Sequence, residues 1–126
     1  MDVSTRALVA ESWRRTCVIG HRGSAATHPE NSFEAFEEGI ACGADAIECD
    51  VHMSRDGHVV VMHDDTLDRT TTLRGAVAES ESEPLRAAGI PFLPELCAST
   101  KDRSVLVIEL KGGTELERSV AAHLEE

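Results

Sequence analysis

Aromatic side chains are scarce in this chain of 126 residues, which has three Phe, one Trp and no Tyr. Aliphatic side chains must therefore supply most of the surface that a core would bury. Hydrophobic residues make up 41% of the chain, a fraction ordinary for a soluble globular protein. The length suits one domain with a modest core.

Cationic residues are also few: 12 Lys and Arg stand against 23 Asp and Glu, which gives a formal net charge of -11. This balance argues against nucleic acid as a partner, because phosphate backbones attract clustered Lys and Arg. It also disfavours docking on anionic membrane surfaces. It does not exclude a small phosphorylated substrate, since one local cation can reverse the field inside a pocket.

No apolar run is long enough to span a membrane. Residues 1–16 mix acidic and basic side chains and lack the continuous apolar region of a signal peptide. No Cys-x-x-Cys pair occurs, and the four cysteines favour reduced, structural thiols in a cytoplasmic protein. They are Cys17, Cys42, Cys49 and Cys97.

The order of the remaining patterns predicts an α/β fold. Residues 4–15 fit either a short helix or a frayed tail. Residues 31–42 predict a helix with Asn31 as N-cap, Glu34 completing a capping box and Gly43 ending it. Apolar runs before and after this helix predict a β-α-β unit with parallel strands. Further helices are expected over 94–100 and after Thr114.

Three further stretches have distinct patterns. Asp56-Gly57, between two short apolar runs, favours an antiparallel hairpin, although a short extended return is the alternative. Residues 70–89 are predicted to be a solvated surface loop; a lid over a pocket is the alternative. Residues 105–108 form a continuous apolar run, which is typical of a strand buried on both faces.

Polar residues lie where the apolar runs end. Parallel sheets gather such strand ends on one face, where ligands bind. Two histidines and three carboxylates, flanked by two cations, would meet there. They are His21, Glu48, Asp50, His63 and Glu109, with Arg22 and Lys111 beside them.

The carboxylates point to a divalent cation. Glu48 and Asp50 are two apart on one strand, so they share a face, roughly 7 Å apart at Cα. Two such carboxylates repel unless a positive group lies between them, and Mg²⁺ or Ca²⁺ suits oxygen ligands. Glu109 would be the third ligand. The alternative is the solvent face of a half-exposed strand.

His21 and His63 are candidates for proton transfer because histidine titrates near neutrality. Arg22 and Lys111 could bind a phosphate, although each could also be an ordinary surface charge. A metal, paired histidines and phosphate-binding cations together suggest metal-assisted cleavage of a phosphodiester.

At these residues the chain resembles the glycerophosphodiester phosphodiesterase family. The resemblance runs from about Cys17 to Lys111 and is specific in the order and spacing of its segments. They are His21-Arg22-Gly23, Pro29-Glu30-Asn31, the run 43–51, Asp56-Gly57, Val60-Val61-Met62-His63-Asp64, Leu67-Asp68-Arg69-Thr70-Thr71 and Ile108-Glu109-Leu110-Lys111.

The resemblance implies a TIM-type (β/α) barrel enzyme that hydrolyses glycerophosphodiesters to glycerol 3-phosphate and an alcohol. It assigns acid–base catalysis to His21 and His63. It makes Glu48, Asp50 and Glu109 ligands of Mg²⁺ or Ca²⁺, and places Arg22 and Lys111 on the phosphate. The family mechanism uses the substrate's own hydroxyl as nucleophile, through a cyclic phosphate. It also implies a short return within the barrel at Asp56-Gly57.

Length separates the chain from a complete barrel, which takes about 250 residues. We expect residues 1–16 to be an N-terminal helix or tail and residues 17–126 to hold strands 1–4, about the first half of such a domain. The alternatives to a working enzyme are a truncated, inactive remnant or a fragment that self-associates through exposed sheet edges. A related phospholipase-type phosphodiesterase is a further alternative.

Overall fold

A computed structural model describes residues 4–124 of the chain. These residues form an α/β fold, as expected. The helices are α1 (Thr5–Ser12), α2 (Phe33–Ala41), α3 (Ser82–Ala87), α4 (Leu93–Thr100) and α5 (Thr114–Leu124), with a short 3₁₀ helix at Val77–Glu79. The strands are β1 (Ile19–His21), β2 (Ala46–Met53), β3 (Val59–Val61) and β4 (Val105–Leu110).

The strands form one sheet in which β1, β3 and β4 all pair with β2. β1 runs parallel to β2, which confirms the parallel pairing predicted across α2. β3 runs antiparallel to β2. The hairpin prediction is therefore confirmed, and the short return implied by the family resemblance is wrong. The turn closes because Ser54 N–H donates to the His58 carbonyl at 2.9 Å, while Gly57 adopts a φ of +84°.

Within the described residues the chain forms two compact units. The first comprises residues 4–49 and 96–108, and the second comprises residues 50–95 and 109–124. β2 and β4 each contribute residues to both units.

In the first unit, α2 begins one residue later than the capping box predicted. Asn31 has a φ of +54°, and its N–H donates to the Arg22 carbonyl, so it is not the N-cap. Ser32 takes that place, because its hydroxyl accepts from Ala35 N–H at 3.2 Å. The predicted end is confirmed: Gly43, at a φ of +83°, donates to the Ile40 carbonyl, and the next N–H donates to the carbonyl of residue 39.

Gly23 makes a close approach to α2 that a side chain would prevent. Its φ is +79°, and a Cβ built there would lie 2.5 Å from the Ala35 carbonyl carbon. Replacing Gly23 by Ala should therefore lower the free energy of unfolding by roughly 2–5 kcal/mol, from left-handed strain plus overlap. Gly57→Ala is the matched control, since its φ is +84° but its Cβ would meet nothing within 4 Å. Urea denaturation compares the two, and an equal loss in both would contradict the overlap.

Of the two predictions for residues 4–15, the helix is confirmed, because α1 spans Thr5–Ser12. Residues 1–3 lie outside the described residues. The chain after α1 is tied to the start of β2 by a bidentate pair, in which Arg15 Nη1 and Nη2 donate to Asp45 at 3.1 and 2.5 Å. Val18 N–H donates to the same carboxylate at 2.8 Å. These donors, Arg15 foremost, lower the pKa of Asp45 to about 2.

This pKa predicts a pH dependence of stability. Because the folded pKa lies below the unfolded one, the stabilisation is complete above the unfolded value and is lost as pH falls towards about 2. The melting temperature of wild type should exceed that of Asp45→Asn at about pH 6, and the gap should narrow below about pH 4 and close near pH 2. Asp65→Asn, at an exposed position, is the control. A gap that persists unchanged at the lowest pH would contradict the role given to Asp45.

In the second unit, an apolar core corrects the prediction that residues 70–89 are a solvated loop. The 3₁₀ helix and α3 lie in this stretch, and Val77 and Leu85 are fully buried. They pack with other buried residues, namely Val60, Met62, Leu67, Ile90 and Phe92. Two isolated apolar residues among Glu and Ser have no clear periodicity, which is why the pattern indicated a loop.

β4 is less buried than its apolar sequence predicted. Val105 is buried, but Val107 and Leu110 are exposed, so the expectation of a strand buried on both faces is wrong. An apolar run indicates that a strand can be buried, but it does not indicate which elements pack over the strand. In β1, Ile19 is also exposed.

The cysteines and the lengths of the helices can be stated for the whole described range. All four cysteines are free thiols, and Cys49 is the buried one. Among the described residues there is no helix with the length and apolar character needed to cross a membrane.

Candidate functional site

Three carboxylates that the sequence predicted as metal ligands come together. Glu48, Asp50 and Glu109 each offer an oxygen, and these oxygens lie within 4.8 Å of one another. Asp50 is fully buried, whereas the Glu109 side chain is 52% exposed. Close, like-charged carboxylates are stable together only beside positive charge. An all-oxygen donor set of this kind suits Mg²⁺ or Ca²⁺ better than zinc, which favours His and Cys.

Lys111 supplies positive charge to this group. Its Nζ lies 2.7 Å from Glu109 Oε1 and 3.5 Å from Asp50 Oδ1. The hydrogen bond to Lys111 lowers the pKa of Glu109, and the same bond raises the pKa of Lys111. Lys111 N–H donates to the Val51 carbonyl at 2.9 Å, which fixes its backbone to β2. Its predicted contact with phosphate stays a prediction.

His21 lies at the end of β1, directly across from Glu48 in the strand register. Its Nε2 is 3.9 Å from Glu48 Oε2. The His21 side chain is 68% exposed, whereas that of Glu48 is 11% exposed. The imidazole thus stands next to a carboxylate of the proposed metal group and remains open to a ligand.

Arg22 binds Glu48 through its backbone. At a φ of +57°, Arg22 N–H donates to Glu48 Oε2 at 2.9 Å. The guanidinium donates instead to Glu30 Oε2, at 2.6 Å. Glu30 lies in the Pro29-Glu30-Asn31 segment but was not among the predicted site residues. The predicted role of Arg22 toward phosphate stays a prediction.

His63 is held on two sides within the second unit. Its Nδ1 lies 2.7 Å from Asp64 Oδ1, and its carbonyl oxygen lies 3.0 Å from His52 Nε2. Asp64 also accepts two bonds from Arg69, and these donors, with Arg69 foremost, lower the pKa of Asp64. The sequence pattern predicted no role for Arg69.

Two other histidines have local partners, as expected of surface groups. His28 Nδ1 lies 2.9 Å from Thr27 Oγ1. His58 Nδ1 lies 3.4 Å from Asp56 Oδ2, and its ring packs edge-on against Phe92.

The comparisons with known proteins decide the family. The model of the glycerophosphoryl diester phosphodiesterase family matches residues 21–118. The chain belongs to this family. It is 41% identical over 113 residues to the glycerophosphodiester phosphodiesterase of Caldanaerobacter subterraneus, a match that covers 79% of this chain and 46% of that protein.

Solved structures agree. The glycerophosphodiester phosphodiesterase of Agrobacterium tumefaciens superposes with a TM-score of 0.83 at 35% identity, covering 88% of this chain and 53% of that one. A phosphodiesterase of Oleispira antarctica, solved with the product sn-glycerol-3-phosphate, gives a TM-score of 0.82 at 27% identity. It covers 91% of this chain and 54% of the Oleispira one.

These matches confirm the predicted fold class, a TIM-barrel fold of which this chain holds part. The chain spans about half the length of the relatives it matches. The family is that of hydrolytic enzymes acting on phosphodiesters.

Proposed function

We propose that this chain carries the metal-binding and proton-transfer groups of a glycerophosphodiester phosphodiesterase, which releases glycerol 3-phosphate and an alcohol. The observation that carries the proposal is the convergence of Glu48, Asp50 and Glu109, with His21 Nε2 3.9 Å from Glu48. Carboxylates this close repel one another, and the single charge of Lys111 offsets only part of that repulsion, which a divalent cation would complete.

Each residue has a separate task in the proposal. Glu48, Asp50 and Glu109 bind Mg²⁺ or Ca²⁺, and a cation bound there would polarise the phosphoryl oxygen or an attacking hydroxyl. His21 and His63 are the acid and the base. Arg22 and Lys111 bind the phosphate, for which a two-pronged guanidinium and a point charge are complementary donors.

The proton balance follows from these tasks. One histidine removes the proton from the substrate's neighbouring hydroxyl, whose oxygen attacks phosphorus. The bond from phosphorus to the leaving oxygen breaks, and the other histidine gives that oxygen a proton, which releases the alcohol. The cyclic phosphate that remains is opened by water, with the histidines exchanging roles.

The substrate class rests on the relatives. The Caldanaerobacter and Agrobacterium proteins are named glycerophosphodiester phosphodiesterases, and the Oleispira structure holds sn-glycerol-3-phosphate. A place in lipid metabolism and a cytoplasmic location stay predictions. So do self-association and the division into a segment 1–16 and a domain 17–126.

The test is release of glycerol 3-phosphate from glycerophosphocholine by wild type and by His21→Ala. Wild type should release it, and His21→Ala should lose about 10²-fold or more of kcat. His28→Ala is the matched control. Within the described residues, the hydrogen bond of the His28 ring is to its neighbour Thr27. Equal rates for wild type and His21→Ala would refute the role of His21.

A further inference from the structure

Asp64 makes three side-chain hydrogen bonds that connect His63 to Arg69. Oδ1 lies 2.7 Å from His63 Nδ1 and accepts from Arg69 Nη2 at 2.9 Å. Oδ2 accepts from Arg69 Nε at 2.8 Å. The guanidinium therefore grips both carboxylate oxygens, and the carboxylate plane is fixed relative to the imidazole.

The segment that carries Arg69 is itself anchored. Leu67 is buried in the core of the second unit, and its N–H donates to the Gly75 carbonyl at 2.9 Å. Thr71 Oγ1 donates to the Leu67 carbonyl at 2.7 Å. Thr70 Oγ1 lies 3.5 Å from Met62 Sδ, on the residue that precedes His63. Arg69 thus projects from a folded loop rather than from a mobile one.

The backbone of His63 is fixed as well. His52 Nε2 lies 3.0 Å from the His63 carbonyl oxygen, and Met62 N–H donates to the Asp50 carbonyl at 2.9 Å. Backbone and ring are thus restrained independently, and only Nε2 of His63 is left to face a substrate.

We propose that Asp64 and Arg69 are positioning residues that hold His63 in the tautomer with its proton on Nδ1, so that Nε2 exchanges protons with the substrate. This rests on the proposed function of His63. A free neutral imidazole prefers its proton on Nε2. A proton found on Nδ1 of His63 would therefore show that the contact with Asp64 determines the tautomer. A carboxylate that accepts from Nδ1 selects the opposite form and orients the ring.

Arg69 makes this selection firm. Arg69 donates to both oxygens of Asp64, so an Asn at this position would direct its NH₂ group at a donor in either orientation of its amide. If NH₂ replaces Oδ2, it faces Arg69 Nε–H. If NH₂ replaces Oδ1, it faces His63 Nδ1 and Arg69 Nη2. Lys at position 69 would keep the charge but could not bind both oxygens in one plane.

The tautomer can be measured without any substrate. Two-bond ¹H–¹⁵N correlation spectra of the full chain at about pH 8.5, where histidine is ordinarily neutral, give the proton position in each ring. The His63 signals are assigned by their loss in His63→Gln. Wild type should carry the proton on Nδ1, Asp64→Asn should shift it largely to Nε2, and Arg69→Lys should give a mixture. Asp65→Asn and Arg74→Lys are matched controls from the same loop and should resemble wild type.

Activity gives the second readout. On glycerophosphocholine, Asp64→Asn should lower kcat by at least about tenfold with little change in KM, because it disturbs proton transfer rather than binding. Arg69→Lys should fall between it and wild type. A wild-type His63 that carries its proton on Nε2, or a tautomer unchanged in Asp64→Asn, would overturn the proposal. If wild type proves inactive on every phosphodiester, the proposed function fails, while the spectra still decide whether Asp64 sets the tautomer.

Discussion

Replacing Asp50 by Asn is expected to lower phosphodiester hydrolysis by about 10³-fold, because it removes the most buried of the three proposed metal ligands. Asn keeps the shape of Asp but supplies a neutral oxygen in place of a charged one. Affinity for Mg²⁺ or Ca²⁺ should fall accordingly, and isothermal titration calorimetry measures it alongside the rate.

The stability of the same variant separates a metal ligand from a structural residue. In EDTA, Asp50→Asn should be about as stable as wild type, because the relieved repulsion with Glu48 and Glu109 offsets the lost attraction to Lys111. Added Mg²⁺ or Ca²⁺ should raise the melting temperature of wild type only. Asp65→Asn is the control and should behave as wild type in both conditions. A large loss of stability in EDTA, with cation binding intact, would assign Asp50 a structural role instead.

Replacing either proposed catalytic histidine by Ala should lower kcat on glycerophosphocholine by about 10²–10⁴-fold, the usual range for loss of a general acid or base. The two losses should respond differently to the leaving group. A p-nitrophenyl phosphodiester of glycerol releases an oxygen that needs no proton, so the variant that lacks the acid should recover most of its rate. The variant that lacks the base should not.

The structure gives a reason to expect this asymmetry. His21 Nε2 stands beside Glu48, whereas His63 Nδ1 is bound to Asp64, so the two rings have different carboxylate neighbours. His28→Ala and His58→Ala are controls for general effects of losing an imidazole. Recovery of both variants on the activated ester, or of neither, would contradict a division into one acid and one base.

Much of the site was predictable because it depends on short-range periodicity. Residues two apart on a strand share a face, which placed Glu48 and Asp50 together. The apolar run before Glu109 and Lys111 marked a strand, and that strand pairs with β2. The hairpin at Asp56-Gly57 followed from local turn chemistry, which proved a better guide than the family resemblance.

Other features depend on contacts that no local pattern encodes. Asn31 and Ser32 are both good N-caps, and the choice between them is made by the hydrogen bond from Asn31 N–H to the Arg22 carbonyl. Arg69 donates to Asp64, which lies five positions earlier in a loop without regular periodicity. The partner of Arg22, Glu30, likewise lies beyond helical or strand spacing.

The burial of β4 was mispredicted for a related reason. Val107 lies in an apolar run typical of a buried strand, yet it is exposed. The hydrophobicity of a residue indicates that it can be buried, whereas its exposure depends on which elements pack over it. In the same way, Val77 and Leu85 are buried although the residues around them are polar.

The most direct test of the account is the dependence of glycerol 3-phosphate release on a divalent cation. Wild type is stripped with EDTA and then titrated with Mg²⁺ and with Ca²⁺, with glycerophosphocholine as substrate. Stripping should abolish release, at least one of the two cations should restore it, and neither should restore Asp50→Asn. Release that survives EDTA, or that returns equally in Asp50→Asn, would contradict it.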